Sequence, residues 1–193
     1  MSIRSKIKKG LITLISAALI NVGAIQSKEN DINRFSTEVT YAKDNNIVKF
    51  RPFDYTSGTQ RNDFLIGKKL KDFSIYGYWK ADNKKRSWIG TRIDYNKKFL
   101  DDKLSGNIQL RFFKGLDKTT DQLYVIPTIQ HKIKDLNVGI LGYGVKSEGK
   151  KALFYVGPSV SMKINNHLSM IGSYTKDAFS TSNMVYWKTN FKF

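Results

Sequence analysis

Apolar and polar side chains alternate with a period of two along almost all of the chain after residue 25. Polar clusters interrupt the alternation about every ten residues. No stretch in this region carries a helical period, so the pattern predicts β-strands joined by turns. The predicted strands are 32–43, 46–56, 63–71, 73–82, 86–96, 103–114, 122–134, 136–146, 152–164, 167–176 and 183–193. The breaks between them carry turn residues, among them Asp44-Asn45-Asn46, Ser57-Gly58-Thr59, Asp82-Asn83, Asp101-Asp102, Lys134-Asp135 and Asn165-Asn166. In 103–114, Leu104, Gly106, Ile108, Leu110 and Phe112 share one face, and Ser105, Asn107, Gln109, Arg111 and Phe113 the other. The chain ends in the same way, on VYWKTNFKF, with Val185, Trp187, Phe191 and Phe193 in one phase and Lys188, Asn190 and Lys192 in the other.

Two architectures produce this alternation. A soluble sandwich or barrel turns the apolar face inward. A membrane barrel turns it outward to lipid and keeps polar side chains for the lumen. Four features favour the membrane. The strands run to about 9–13 residues, enough to cross a bilayer when tilted, whereas soluble strands are usually about 5–6. Tight connections (Lys71-Asp72, Lys134-Asp135, Asn165-Asn166) alternate with longer ones at 82–87, 114–121, 146–151 and 176–183. Aromatics are 13% of the chain and gather toward strand ends at Tyr76, Tyr78, Trp79, Phe112, Phe113, Trp187 and Phe193, where an interfacial girdle would stand. The fourth feature is the N-terminus.

Residues 1–24 have the three-part plan of a secretory signal peptide. Arg4, Lys6, Lys8 and Lys9 make a basic start, Leu11–Ile20 an apolar block, and Val22-Gly23-Ala24 a site for a signal peptidase. The expected organisation is therefore a leader over 1–24 and one barrel domain over 25–193. Its loss takes four positive charges from a formal net charge of +17, leaving +13. The chain has no cysteine, which excludes disulfides, thiol catalysis and an acylated lipoprotein terminus.

With these features assembled, the sequence resembles the bacterial outer-membrane β-barrel family. In that family a last strand ending in Phe, with aromatics at alternate positions before it, is the assembly signal. Trp187, Phe191 and Phe193 match it, and Thr189 fits less well. The resemblance implies an all-β, transmembrane, antiparallel up-and-down barrel in the outer membrane, inserted by the assembly machinery and surrounded by lipid and lipopolysaccharide. Counting back from Phe193, tight and long connections alternate consistently to residue 46, which gives ten strands. Twelve and eight are the alternatives. Segment 32–45 is then either an extra strand or a stretch inside or under the barrel, because single-chain bacterial barrels have even strand numbers. Residues 63–82 are the second weak point, since Lys68-Lys69-Leu70-Lys71-Asp72 blurs the register.

Chemistry is sparse. His131 lies in an apolar phase near a strand end and His167 in a turn. His167-Leu168-Ser169, with Asp177 beyond, resembles the His-x-Ser motif of outer-membrane lipid A deacylases, but the flanking pattern of that family is absent. Lipid A modification is thus a minor alternative, and the chain reads as a non-enzyme. No His/Asp/Glu group has ligand spacing, so neither a metal nor a cofactor is expected.

Charge by phase is more informative. The lumen phase carries Lys49, Arg51, Arg92, Arg111, Lys132, Lys163, Lys188 and Lys192, with Asp94 as its clear acid. Lys49, Arg51, Arg92, Asp94, Arg111 and Lys132 are the candidate solute contacts, because Lys and Arg along a pore lower the barrier for anions. The leading expectation is a narrow channel for a small anionic solute. In architecture and lumen charge it resembles small porins with arginine- and lysine-lined lumens, such as oligogalacturonate- and sialate-specific channels. The alternative is a closed barrel serving as adhesin or surface anchor. Nucleic acid is not an expected partner, since the bases are dispersed over turns and one strand face.

If the terminal aromatic is the address read during assembly, deleting Phe193 will impair insertion. The check is the fraction of protein reaching the outer membrane in heat-modifiable form, and normal insertion of the truncated chain counts against this role.

Overall fold

In the computed structural model, residues 18–27, 34–116, 119–166, 168–179 and 183–192 are described. Side chains of 18–27, Arg34 and Lys192 are not part of that description. The described residues form twelve strands: β1 (Ala18–Ser27), β2 (Arg34–Lys43), β3 (Asn46–Tyr55), β4 (Gln60–Lys69), β5 (Phe73–Asp82), β6 (Ser87–Phe99), β7 (Leu104–Leu116), β8 (Gln122–Ile133), β9 (Leu136–Ser147), β10 (Leu153–Lys163), β11 (Leu168–Asp177) and β12 (Asn183–Lys192). Each pairs antiparallel with its neighbours in sequence, and β12 pairs with β1, so the sheet is a closed up-and-down barrel. Closure satisfies every strand edge, as a sheet in lipid requires.

The period-two pattern sorts side chains as expected. Outward positions are large and apolar: Phe35, Phe50, Phe64, Ile75, Trp79, Ile89, Phe112, Ile140, Val160 and Trp187 are among the exposed apolar residues. Inward positions are buried and mostly polar, as in β5, where Ser74, Tyr76, Tyr78 and Lys80 alternate with exposed neighbours. The turns are short. Asp44 and Lys134 adopt left-handed backbone in two-residue connections, and Leu100, Asp101 and Asp102 do so in succession between β6 and β7.

The count is twelve, the sequence alternative, and not the leading ten. Of segment 32–45, residues 34–45 are described and do not lie inside or under the barrel; they supply β2 and the turn to β3, with Val39 opposite Phe50 and Thr40 opposite Lys49. The partner that restores even parity is β1, which runs between β2 and β12 with Ala24 opposite both Phe35 and Trp187. The aromatic assignment also divides. Trp79, Phe112 and Trp187 face outward, but Tyr76, Tyr78 and Phe113 turn inward and pack with Leu65 and Trp88 as the internal cluster. Phe193 lies outside the described residues.

Within the barrel a ladder of rings crosses five strands: Tyr78 to Phe113 at 4.7 Å between centroids, Phe113 to Tyr124 at 5.8 Å, Tyr124 to Tyr143 at 6.1 Å and Tyr143 to Tyr155 at 6.4 Å. Such tilted and edge-on pairs contribute about 0.5–1.5 kcal/mol each beyond their buried area. The ladder skips β6 because Gly90 stands opposite both Tyr78 and Phe113. A Cβ there would meet the Phe113 ring at 2.8 Å and the Phe112 carbonyl oxygen at 1.9 Å. Glycine at 90 therefore lets two rings meet across a strand.

Residues 1–17 of the expected leader lie outside the described residues, but 18–24 fall in β1. A cut after Ala24 would remove seven of that strand's ten residues and leave β2 and β12 without their common partner. Eleven strands would remain. Twelve-stranded closure therefore predicts an assembled protein that keeps all of β1, with its N-terminus at or before Ala18. Intact mass of the folded protein extracted from membranes checks this, and a start at Ile25 would show that the barrel closes without β1.

Candidate lumen site

Inward-facing charges come from strands on opposite sides of the barrel, and three acids organise most of them. Glu38 on β2 meets Arg51 of β3, Nη2 to Oε2 at 3.0 Å, and Lys49, Nζ to Oε1 at 3.7 Å. The Thr40 hydroxyl donates to Glu38 Oε1 at 3.4 Å. Register produces this cluster: Thr40 stands opposite Lys49, two residues along from Glu38 on the same face. On β4, Asp63 accepts from Arg61 Nε at 2.8 Å and Nη2 at 3.3 Å, and from the Tyr78 hydroxyl. On β6, Asp94 takes Arg92 in a two-pronged pair, Nε to Oδ1 at 2.8 Å and Nη2 to Oδ2 at 2.6 Å. Both members of that pair are buried. Fork-to-carboxylate geometry of this kind is the strong form of an ion pair, and removing one partner of a buried pair typically costs about 3–5 kcal/mol.

Rings cover the cations as well. Lys49 and Arg92 both lie over Tyr76, at 5.4 and 5.3 Å from its centroid. Arg61 lies 4.3 Å over Phe53. Lys80 sits 3.8 Å over Phe113 and 4.6 Å over Trp88, and its Nζ donates to Gln122 Oε1 at 2.5 Å. The β4–β8 side of the lumen is therefore packed by rings and the side chains they hold toward the end that carries the β5–β6 and β7–β8 connections.

Two inward cations stand differently. Arg111 is opposite Arg92 in register and donates to Gln109 Oε1, at 2.6 Å from Nε. Lys188 enters from β12 across the barrel. Among the described residues neither makes an ion pair with an acid within 4 Å. Both line a mid-lumen cavity of about 260 Å³, together with Glu38, Lys49, Arg51 and Arg92, and with Tyr143 and Tyr186. A larger cavity of about 740 Å³ opens toward the end of the barrel that carries the C-terminus. Its walls mix amides and hydroxyls (Asn96, Asn107, Gln130, Ser105, Thr128) with charged side chains, Lys69, Lys71, Asp72, Lys97 and Lys98, and Tyr76 and Asp94 also line it.

Of the six sequence candidates, Lys49, Arg51, Arg92 and Arg111 line the mid-lumen cavity, and Asp94 joins them through Arg92. Lys132 does not. It lies next to the β8–β9 turn, exposed, with its amide bonded to the Lys103 carbonyl oxygen, so phase alone put it in the wrong place along the barrel axis. Glu38, Arg61, Asp63 and Lys80 were not among the candidates. Glu38 alternates with Ser36 and Thr40 in the segment that the strand count had set aside, and Arg61, Asp63 and Lys80 lie in or beside the stretch of blurred register. Trp187 and Phe191 of the expected assembly signal are both exposed on the outward face.

Of the three reactive groups in the other motif, only Ser169 and Asp177 are among the described residues. His167 is outside the described residues. Ser169 and Asp177 stand at opposite ends of β11, about 26 Å apart at roughly 3.3 Å per residue. Asp177 is buried and accepts from the Phe154 and Phe179 amides at 3.3 and 3.2 Å. No three metal-ligating side chains cluster among the described residues.

No protein-family model matches the chain, and no curated protein matches it in sequence. Its likeness is to solved structures. The KdgM porin in complex with disordered oligogalacturonate superposes with a TM-score of 0.70 at 10% identity, covering 91% of this chain and 99% of that one. The outer membrane protein Omp33 of Acinetobacter baumannii gives 0.68 at 9% identity, covering 94% and 100%. The NanC porin gives 0.65 at 9% identity, covering 90% and 100%. The chain has the barrel fold of these small outer-membrane porins over nearly their whole lengths.

Proposed function

We propose that the protein is a narrow outer-membrane channel that favours small anionic solutes. The observation that carries this reading is the pair Arg111 and Lys188, two cations on facing walls of one cavity, neither in contact with an acid among the described residues, although Glu38 acts on Lys188 through space. Within the cavity wall five cations stand against Glu38 alone, with Asp94 next to Arg92 outside it. Such a ring lowers the barrier for an anion while keeping each contact weak enough to release it. The amides and hydroxyls of the cavity beyond it suit a solute with many hydroxyl groups, which makes a carboxylated sugar the preferred class. The superposed KdgM structure contains oligogalacturonate, a solute of that class.

Several further features belong to the same reading. The exposed loop residues Lys84, Lys85, Lys150 and Lys151 lie where lipopolysaccharide phosphates would meet a barrel seated in the outer leaflet. The exposure of Trp187 and Phe191 on β12 supports recognition of this strand by the assembly machinery. The competing reading, a closed barrel serving as anchor or adhesin, draws on the ring-filled β4–β8 side, since small barrels are packed by their own side chains. Twelve strands enclose more than eight do, and the mid-lumen cavity remains beside the ladder.

Reconstitution into planar bilayers separates the two. The channel reading expects discrete conductance steps with a reversal potential on the chloride side, and silence at high protein load overturns it. Arg111→Gln should lower the chloride-to-potassium permeability ratio about tenfold. A unit charge about 6 Å from a passing ion in water-like dielectric is worth roughly 0.7 kcal/mol, about threefold, and its removal acts with opposite sign on chloride and on potassium.

A further inference from the structure

The lumen cations differ in how much charge they offer, and one carboxylate makes most of that difference. Glu38 is the only acid in the wall of the mid-lumen cavity among the described residues. It contacts two of the five cations there, Lys49 and Arg51, and both lie on β3. Arg92 is held by Asp94. The cavity is therefore electrically lopsided: the β2–β3 wall is an ion-paired cluster, and the free positive charge stands on β7 and β12.

We infer that Glu38 is a selectivity determinant of the channel, a built-in competitor that occupies Lys49 and Arg51 and leaves a passing anion only Arg111 and Lys188. The inference rests on the channel reading above. Its physical basis is exchange. A solute carboxylate entering the cavity resembles the Glu38 carboxylate and can bind Lys49 or Arg51 only by displacing it. Glu38 is fixed to the wall and already desolvated, so the displacement is uphill, and the solute passes along the opposite wall. Without Glu38, four cations not held by an acid would surround one cavity of about 260 Å³. An anion would then bind tightly and leave slowly, and a conducting site needs weak binding. Glu38 thus trades depth of binding for rate of passage. The Thr40 hydroxyl, donating to Oε1, holds the carboxylate toward the cations.

The test uses the full-length protein in planar bilayers, with chloride as the current carrier and glucuronate, a monovalent uronate, as the blocker. Glu38→Gln is expected to tighten glucuronate block about threefold or more, by the same charge-at-distance argument, and to lengthen each block event. Its reversal potential should move further toward that of chloride. A conducting, heat-modifiable Glu38→Gln channel with unchanged block overturns the inference. A second comparison stands independently of how that variant folds. Lys49→Gln and Lys188→Gln each remove one lysine charge from the same cavity. The Glu38 carboxylate keeps a passing anion from touching Lys49 but not from touching Lys188, so loss of Lys49 should weaken block less than loss of Lys188, which should weaken it about threefold or more. Equal weakening by the two overturns the inference. A silent wild type overturns the channel reading and this inference with it, whereas a conducting wild type with either contrary variant result overturns the inference alone.

Discussion

Everything in this structure depends on the closure of one antiparallel sheet. In the hydrocarbon region of a bilayer no water is present to satisfy backbone amides and carbonyls, so a sheet can cross only if its first and last strands meet. Here β1 and β12 meet, with Leu19 opposite Lys192 and Ser27 opposite Met184. Once that seam is closed, alternation acquires meaning. Every second side chain must suit lipid and every other one must fit a confined, polar interior. A one-residue slip of any strand would exchange the two sets.

The interior then has to dispose of more charge than a soluble core would hold. Buried charges are costly unless paired, and two devices handle them. The first is same-strand pairing: Arg61 with Asp63 and Arg92 with Asp94 are two residues apart, so period two puts each pair on one face at once. The second is coverage by rings, with Tyr76, Phe53 and Phe113 beneath Lys49, Arg61 and Lys80. Both devices concentrate on β3–β8. Arg111 too lies over a ring, Tyr124, but among the described residues neither it nor Lys188 is in contact with an acid, so the site follows from where ion pairing stops.

The barrel itself was legible in the sequence because period two is a local property, repeated in eleven segments, and each repeat reports the same fold. Arg51, Arg92 and Arg111 were assigned inward correctly for the same reason. Phase carries no information on position along the axis, which is why Lys132 was grouped with them although it stands at a strand end. Strand order and phase also put Arg92 beside Arg111 on adjacent strands and Asp94 in reach of Arg92, and the structure has both. The cross-strand partners of Glu38 are non-local and were not legible in that way. The internal ring ladder was misread in part because Tyr76, Tyr78 and Phe113 sit near outward aromatics in sequence, and a girdle and a ladder use the same residue types. β1 was not legible because an apolar leader and a membrane strand draw on the same residue types, and residues 19–25 suit either composition.

Like charges fix the final arrangement. Arg92 and Arg111 stand directly opposite each other on adjacent strands, an unfavourable placement for two bare cations. The Asp94 carboxylate, gripping Arg92 from the same strand, draws that guanidinium along β6 and neutralises it. Gln109 does the equivalent on β7 without charge: its Oε1 accepts from Arg111 and orients it, but leaves its positive charge intact. The two strands thus hold homologous Arg-x-Asp and Gln-x-Arg patterns with opposite electrical outcomes. One amide in place of one carboxylate separates a structural arginine from one that can meet a solute.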